Sequence, residues 1–203
     1  MSYPKSKRPQ CAVCQRPVKT CICHLVARIA TPIELAILQH PSEVGHPKGT
    51  AWLAHQCLVG SQLFVGEQLE DLPALEAWLA QGDAYLLYPM QAGDLVESIF
   101  ASALLPRVSS ELAKARVLVL DGTWRKTYKL LQSNPTLQRL PRITLRQPFS
   151  SGYHIRQARR EDSLSTLESI YCLLREIDVK GDYAALINSF EGFVGLYQGF
   201  IQK

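Results

Sequence analysis

The chain has 203 residues, of which 47% are hydrophobic and 20% charged, and its formal net charge is +4. That length suits one domain, or one domain with a small appendage, and buries a core without disulfide staples. The composition excludes disorder, collagen and coiled coil, and no apolar run approaches the ~20 residues of a membrane span.

The first nine residues, Met1 to Pro9, are polar and basic and lack the apolar segment of a signal peptide. The expected compartment is therefore the cytoplasm, where thiols stay reduced. Up to Thr31-Pro32 the chain is rich in Cys, Pro and Lys and shows neither helical nor strand periodicity. Residues 1–31 thus read as a Cys-rich segment and 32–203 as an α/β domain. Ile33–Gln39 reads as a buried strand, Lys48–Val59 as a helix, Gln62–Val65 as a strand and Pro73–Ala80 as a helix. Ala84–Tyr88 is a third strand stopped by Pro89, and Ser109 or Ser110 is placed to cap a short helix ending near Ala115. Arg116–Leu120 is the clearest buried strand, and a helix from Trp124 to Gln132 follows it directly. Ile143–Leu145 suggests a short strand, and helices over Ser163–Glu176 and Tyr183–Tyr197 complete the chain. The long irregular stretch Gln147–Asp162 reads as a functional loop. Strands alternating with helices predict a mostly parallel sheet with helices on both faces, and ligands bound beyond the strands' carboxyl ends.

The small net charge hides a strong segregation. Residues 1–33 carry Lys5, Lys7, Arg8, Arg16, Lys19 and Arg28 and no acid. Residues 125–160 carry Arg125, Lys126, Lys129, Arg139, Arg142, Arg146, Arg156, Arg159 and Arg160, again with no acid. The rest of the chain holds all 18 acidic residues. Two acid-free basic stretches predict a polyanion-binding face, with nucleic acid as the partner, if both fold onto one surface. A solvated basic rim is the alternative.

Cys11, Cys14, Cys21 and Cys23 form the pattern C-x2-C-x6-C-x-C. Four thiolates in one loop-rich segment suit a tetrahedral Zn²⁺ site. The segment is too short and polar to build a core of its own, so metal would supply much of its folding free energy. A disulfide pair is disfavoured by compartment, and iron–sulfur spacings do not match. His24 is an alternative to Cys23 as fourth ligand. A site closed by four protein ligands has no open position, so it is structural and offers a basic platform to a nucleic-acid backbone. Cys57 and Cys172 lie in helical patterns and read as core packing.

At the end of the strongest strand stands Asp121-Gly122-Thr123-Trp124. Gly122 permits a sharp turn and Thr123 is placed to cap the next helix, so a well-capped turn with Trp124 as a packing anchor is one reading. The Asp-x-Thr-Trp motif, taken with the N-terminal cysteines, resembles the DTW-domain proteins, which are tRNA-uridine aminocarboxypropyltransferases. His40-Pro41-Ser42-Glu43, Leu86–Pro89 and Ser163-Leu164-Ser165-Thr166-Leu167-Glu168 add to the resemblance, which runs from Cys11 to the last helix. His46-Pro47-Lys48-Gly49-Thr50 departs from the Asn-Thr of the family pattern.

The resemblance implies a fold related to the trefoil-knotted SPOUT transferases, with S-adenosylmethionine as co-substrate. It implies transfer of the 3-amino-3-carboxypropyl group to N3 of a uridine in the tRNA variable loop, releasing methylthioadenosine. On this reading Asp121, Thr123 and Trp124 are catalytic. Leu87, Tyr88, Pro89, Asp121, Gly122, Thr123, Ser163, Ser165 and Thr166 bind the cofactor, and Arg125, Lys126, Arg146, Arg156, Arg159 and Arg160 bind tRNA. Asp121 has two open roles, as the base that takes the N3 proton or as the partner of the cofactor's ammonium. Trp124 stacks on the extruded uracil or packs its helix on the sheet. The hydroxyls and amides at Ser163, Ser165 and Thr166 suit a carboxylate or ribose, while Ser165 with Glu168 also spells a capping box. An RNA methyltransferase on the same scaffold and a non-catalytic zinc-containing RNA-binding module are the rival readings.

Overall fold

The computed structural model describes residues 9–91, 93, 95–107, 115–146 and 164–201, without the side chains of 106, 107 and 197–201. In chain order the elements are β1 (Glu34–Gln39), α1 (Ala51–Cys57), β2 (Gln62–Val65), α2 (Pro73–Ala80), β3 (Ala84–Leu87) and β4 (Ser98–Phe100). They continue with α3 (Leu104–Arg107), β5 (Arg116–Asp121), α4 (Trp124–Ser133), α5 (Pro135–Arg139), β6 (Arg142–Thr144), α6 (Thr166–Ile177) and α7 (Ala184–Ile201).

The strands form one six-stranded sheet in the order β2-β1-β5-β3-β6-β4, and every adjacent pair is parallel. Successive side chains of a strand point to opposite faces, and the core divides accordingly. Leu35, Ile37, Val117, Val119 and Leu87 join a cluster with Leu53 of α1, Leu174 of α6 and Leu186 of α7. Ala36, Leu38, Leu118, Leu120 and Leu86 join a second cluster with Leu75 and Trp78 of α2, Leu130 of α4 and Leu137 of α5. Burial on both faces is why β1 and β5 read as unbroken apolar runs rather than alternating ones.

The expected strands and helices are present among the described residues, with ends displaced by a few positions. Three elements carried no periodic signal: β4, three residues at the sheet edge paired with β6, the four-residue α3, and α5, which restarts the helix at Pro135. Buried Asn134 separates α4 from α5, donating to the carbonyls of Leu130 and Glu67 and accepting from the Leu69 amide. The short strand runs over Arg142–Thr144, one residue earlier than expected. Arg142 is the reason: it is fully buried, and its guanidinium donates to the carbonyls of Leu137, Gln138 and Leu140 at the end of α5. One arginine of the basic stretch is therefore a structural cap facing away from solvent. The expected helix ending near Ala115 and the loop Gln147–Asp162 lie outside the described residues, the helix apart from its last residue.

The Cys-rich segment packs into the first cluster. Ile22 and Ile29 are buried there with Cys14. Leu25 lies so close to α7 that a Cβ on Gly192 would stand 2.6 Å from its Cδ2, so glycine is what permits this docking. Among the described residues no helix is long and apolar enough to cross a membrane.

Candidate active site

A cavity of about 750 Å³ opens at the carboxyl edge of the sheet, a size that holds a cofactor-sized molecule. Leu87, Tyr88 and Pro89 at the end of β3, Asp121 to Trp124 from the end of β5 into α4, Ile143 and Thr144 of β6, and Leu145 just after it line the cavity. Ser165 at the N-cap of α6, with Thr166 and Ser169 of that helix, closes one side, and Glu43 with the loop His46–Thr50 closes another. The parallel sheet aims the ends of β3, β5 and β6 at one place, which gathers residues far apart in the chain.

Asp121 is 6% exposed at the end of the central strand β5. Its Oδ2 accepts from the Gln39 side-chain amide at 2.8 Å, and its Oδ1 accepts from the Thr166 hydroxyl. Burial pushes its carboxyl above the usual range, while these two hydrogen bonds oppose the shift. Gln39 stands directly across from Asp121 in the pairing of β1 with β5. It was not singled out from sequence, because only strand register brings the two together.

The turn after Asp121 differs from its expected mechanics. Gly122 has no left-handed φ; instead a Cβ there would lie 3.1 Å from Lys126 Cβ and 3.7 Å from His40 Cβ. It is a close-approach glycine. Thr123 occupies the N-cap position of α4, but its side chain makes no capping hydrogen bond. Trp124 is half exposed and meets Tyr88 edge to face at a centroid distance of 5.9 Å.

His40 is buried beneath this turn rather than in the cavity wall. Its Nδ1 accepts from the Ser42 amide at 3.2 Å and its Nε2 faces Glu67 at 3.3 Å. Glu43 does reach the cavity, where it pairs with Lys126 at 2.6 Å. At the start of α6 the capping box forms: Ser165 Oγ accepts from the Glu168 amide, and a Glu168 carboxylate oxygen accepts from the Ser165 amide. The Leu167 amide donates to Thr50 Oγ1, so much of this helix start is occupied within the protein. Ser163 lies outside the described residues.

The four cysteines converge, their Sγ atoms all within 4.8 Å of one another. Cys11 and Cys23 lie 3.7 Å apart and Cys14 and Cys21 3.9 Å. Tetrahedral thiolate ligands at the usual zinc distance stand about 3.8 Å apart, so the four sulfurs could hold a metal ion, with Cys23 rather than His24 grouped with the other three cysteines. Backbone amides of Cys14 and Val13 hold the Cys11 thiol down at about 6. Burial, then the neighbouring thiols, push Cys23 up to about 12. Four crowded sulfurs resist deprotonation together unless a cation binds them.

This centre is tied to the cavity by Arg16, from the loop between Cys14 and Cys21. Its guanidinium donates to the carbonyls of Pro47 at 2.6 Å and Gly49 at 3.0 Å, and it lies over the Phe193 ring. Cys57 is buried in the core as expected, and Cys172 is half-buried in α6.

The basic residues behave unequally. Arg125 is exposed on α4, whereas Lys126 is engaged by Glu43. Arg146 lies 5.4 Å over the exposed Phe100 ring, beside the cavity residue Leu145. Arg156, Arg159 and Arg160 lie outside the described residues.

A family model described as the DTW domain matches residues 8–198. The chain belongs to the DTW-domain family. The Asp121-Gly122-Thr123-Trp124 turn of this DTW-domain protein is thus the segment at its cavity mouth. It is 28% identical over 174 residues to tRNA-uridine aminocarboxypropyltransferase 2 of Macaca fascicularis, covering 81% of this chain and 55% of the relative. The mouse (Mus musculus) protein of that name is 31% identical over 170 residues, 80% of this chain and 54% of the relative. The Drosophila melanogaster one is 29% identical over 173 residues, 82% of this chain and 65% of the relative. The DTW-domain chain therefore spans between about half and two thirds of the length of these curated relatives. No solved structure gives a significant match to it.

Proposed function

We propose that this protein transfers the 3-amino-3-carboxypropyl group of S-adenosylmethionine to N3 of a uridine in the tRNA variable loop. The observation that carries the reading is the buried Asp121 carboxylate, held by Gln39 and Thr166 at the wall of a cofactor-sized cavity whose mouth bears Trp124. The names of the relatives, tRNA-uridine aminocarboxypropyltransferase 2, support the substrate and the group transferred. The reading includes a relation to the knotted SPOUT transferases, which a parallel sheet with a site at its carboxyl edge supports.

A sulfonium has three carbons open to attack, and its unhindered methyl is intrinsically the most reactive. Selectivity for the methionine Cγ is then a matter of positioning, for which the walls at Leu87, Tyr88, Pro89, Leu145 and Thr123 are suited. Uridine N3 attacks only after losing its proton. Asp121 accepts that proton, and burial, which raises its basicity, fits it to the role. The N3–Cγ bond forms as the Cγ–S bond breaks, and the electron pair stays on sulfur, leaving neutral methylthioadenosine. Gln39 and Thr166 keep the carboxylate aimed, and Trp124 stacks on the uracil.

The four-cysteine centre holds structural zinc in this reading. Its thiolates match the tetrahedral edge of that ion, and Arg16 carries its order to the cavity loop. Incubation with S-adenosylmethionine and unmodified tRNA tests the proposal. Mass analysis is expected to find a uridine bearing the aminocarboxypropyl group, together with methylthioadenosine. A methylated nucleoside with S-adenosylhomocysteine would overturn it in favour of a methyltransferase, and no product would leave an RNA-binding module.

A further inference from the structure

The exposed face of α4 carries a pattern that the catalytic reading uses only at Trp124. Thr127, Leu130 and Leu131 bury the opposite face. Trp124, Arg125, Tyr128, Lys129 and Gln132 are exposed, at helical offsets of one, four, five and eight from Trp124. Side chains four apart sit one above the other. An aromatic pair and a basic pair therefore run side by side along one stripe.

Trp124 and Tyr128 are 47% and 49% exposed, unusual for large aromatic rings on a helix with an ample buried face. The helix has three basic residues, Arg125, Lys126 and Lys129, and no acidic one. Glu67 pairs with Lys129 at 2.5 Å, but that lysine side chain is 63% exposed, so the pair is weak and open to exchange for a phosphate. The stripe starts at the cavity, which Trp124 lines, and Tyr128 follows about 6 Å along the axis, roughly one nucleotide of an extended strand.

We infer that this stripe is a track for single-stranded RNA, on which Tyr128 stacks with the nucleotide next to the one that enters the cavity. Aromatic rings beside cations are the sequence-tolerant way to hold unpaired nucleotides, because every base has a π-face and every nucleotide a phosphate. A protein partner is less suited, since the stripe alternates ring and charge without an apolar centre. The inference rests on the proposed tRNA substrate and adds where the flanking nucleotide lies.

The test measures affinity for unmodified tRNA and for a short oligouridine at several salt concentrations, using the full chain. Tyr128→Ala is expected to weaken both about tenfold while leaving the salt dependence unchanged, and Tyr128→Phe to bind as wild type, since stacking needs the ring and not the hydroxyl. Arg125→Ala is expected to lower the slope of log affinity against log salt by about one. Affinity for S-adenosylmethionine and the melting temperature stay unchanged in all three. Tyr128→Ala binding RNA as tightly as wild type would overturn the inference, as would Tyr128→Phe losing as much as Tyr128→Ala. A change in self-association without one in RNA affinity would make the stripe a protein interface and overturn it too. Wild type that binds no RNA would remove the substrate reading and this inference together, whereas the other outcomes leave the substrate reading standing.

Discussion

Arg16 and Pro47 are joined by a 2.6 Å hydrogen bond from guanidinium to carbonyl, which ties the cysteine loop to the wall of the cavity. A second bond reaches the carbonyl of Gly49 at 3.0 Å. The planar donor fork makes the clamp specific to arginine. Each acid-free region thus spends an arginine on the protein's own backbone, Arg16 in the first and Arg142 in the second.

Arg16→Ala is expected to destabilise the protein by about 2 kcal/mol, the scale of charge-assisted hydrogen bonds. It is also expected to weaken S-adenosylmethionine binding, because His46, Lys48 and Gly49 line the cavity. Arg16→Lys recovers only part of either effect. Thermal melts and calorimetric titration measure the two quantities, and unchanged cofactor affinity in the alanine variant would separate the clamp from the site.

Purified protein is expected to contain about one zinc per chain, on four-thiolate stoichiometry. Chelation is expected to lower the melting temperature well beyond the cysteine segment, because Cys14, Ile22 and Ile29 share the core of α1, α6 and α7. Elemental analysis and calorimetry check this. A chelated protein that melts as before would show that the thiols need no metal.

Asp121→Asn is expected to reduce transfer by about 10²–10⁴-fold, the usual worth of a proton acceptor. If Asp121 is the base, S-adenosylmethionine still binds; if it holds the ammonium group, binding falls with turnover. Stability moves the other way. Burial raises the folded-state pKa above the unfolded one, so the contribution of Asp121 is full at low pH and is lost as pH rises through the folded value. The asparagine variant, neutral at every pH, is therefore expected to melt no lower than wild type at neutral pH, with Gln39 turning its amide to match. A clear loss of stability there would count against a strained carboxylate.

Gln39→Leu removes a hydrogen bond that lowers the Asp121 pKa. The acid limb of the transfer rate against pH is expected to move to higher pH, since the proton acceptor then ionises later. A profile that only falls in height, with no displacement, would mean that Gln39 serves packing alone.

Much of the fold was readable in the chain itself. The unbroken apolar runs of β1 and β5 announced strands buried on both faces, and α4, α6 and α7 lay close to their expected bounds. Three-residue β4 and the Pro135 restart were not, because neither is long enough to show a period. At the site the Asp121 turn and the cysteines were legible, since their residue types are close in sequence. Gln39, Glu43 against Lys126, and Arg16 against the loop His46–Thr50 were not.

The linear chain sufficed for the α/β class, the four-cysteine cluster and the Asp121-Gly122-Thr123-Trp124 corner, because each depends on period or spacing along it. Strand order was decided only in three dimensions, and with it the partners of Asp121. β5 settles between β1 and β3, so Gln39 comes to face it across the sheet, and α6 returns to bring Thr166. Arg142 shows the same limit, a cation counted with the surface charges that spends its donors inside the protein. Hydrogen bonds and buried charge depend on neighbours that the chain supplies from afar, and no local pattern encodes who they are.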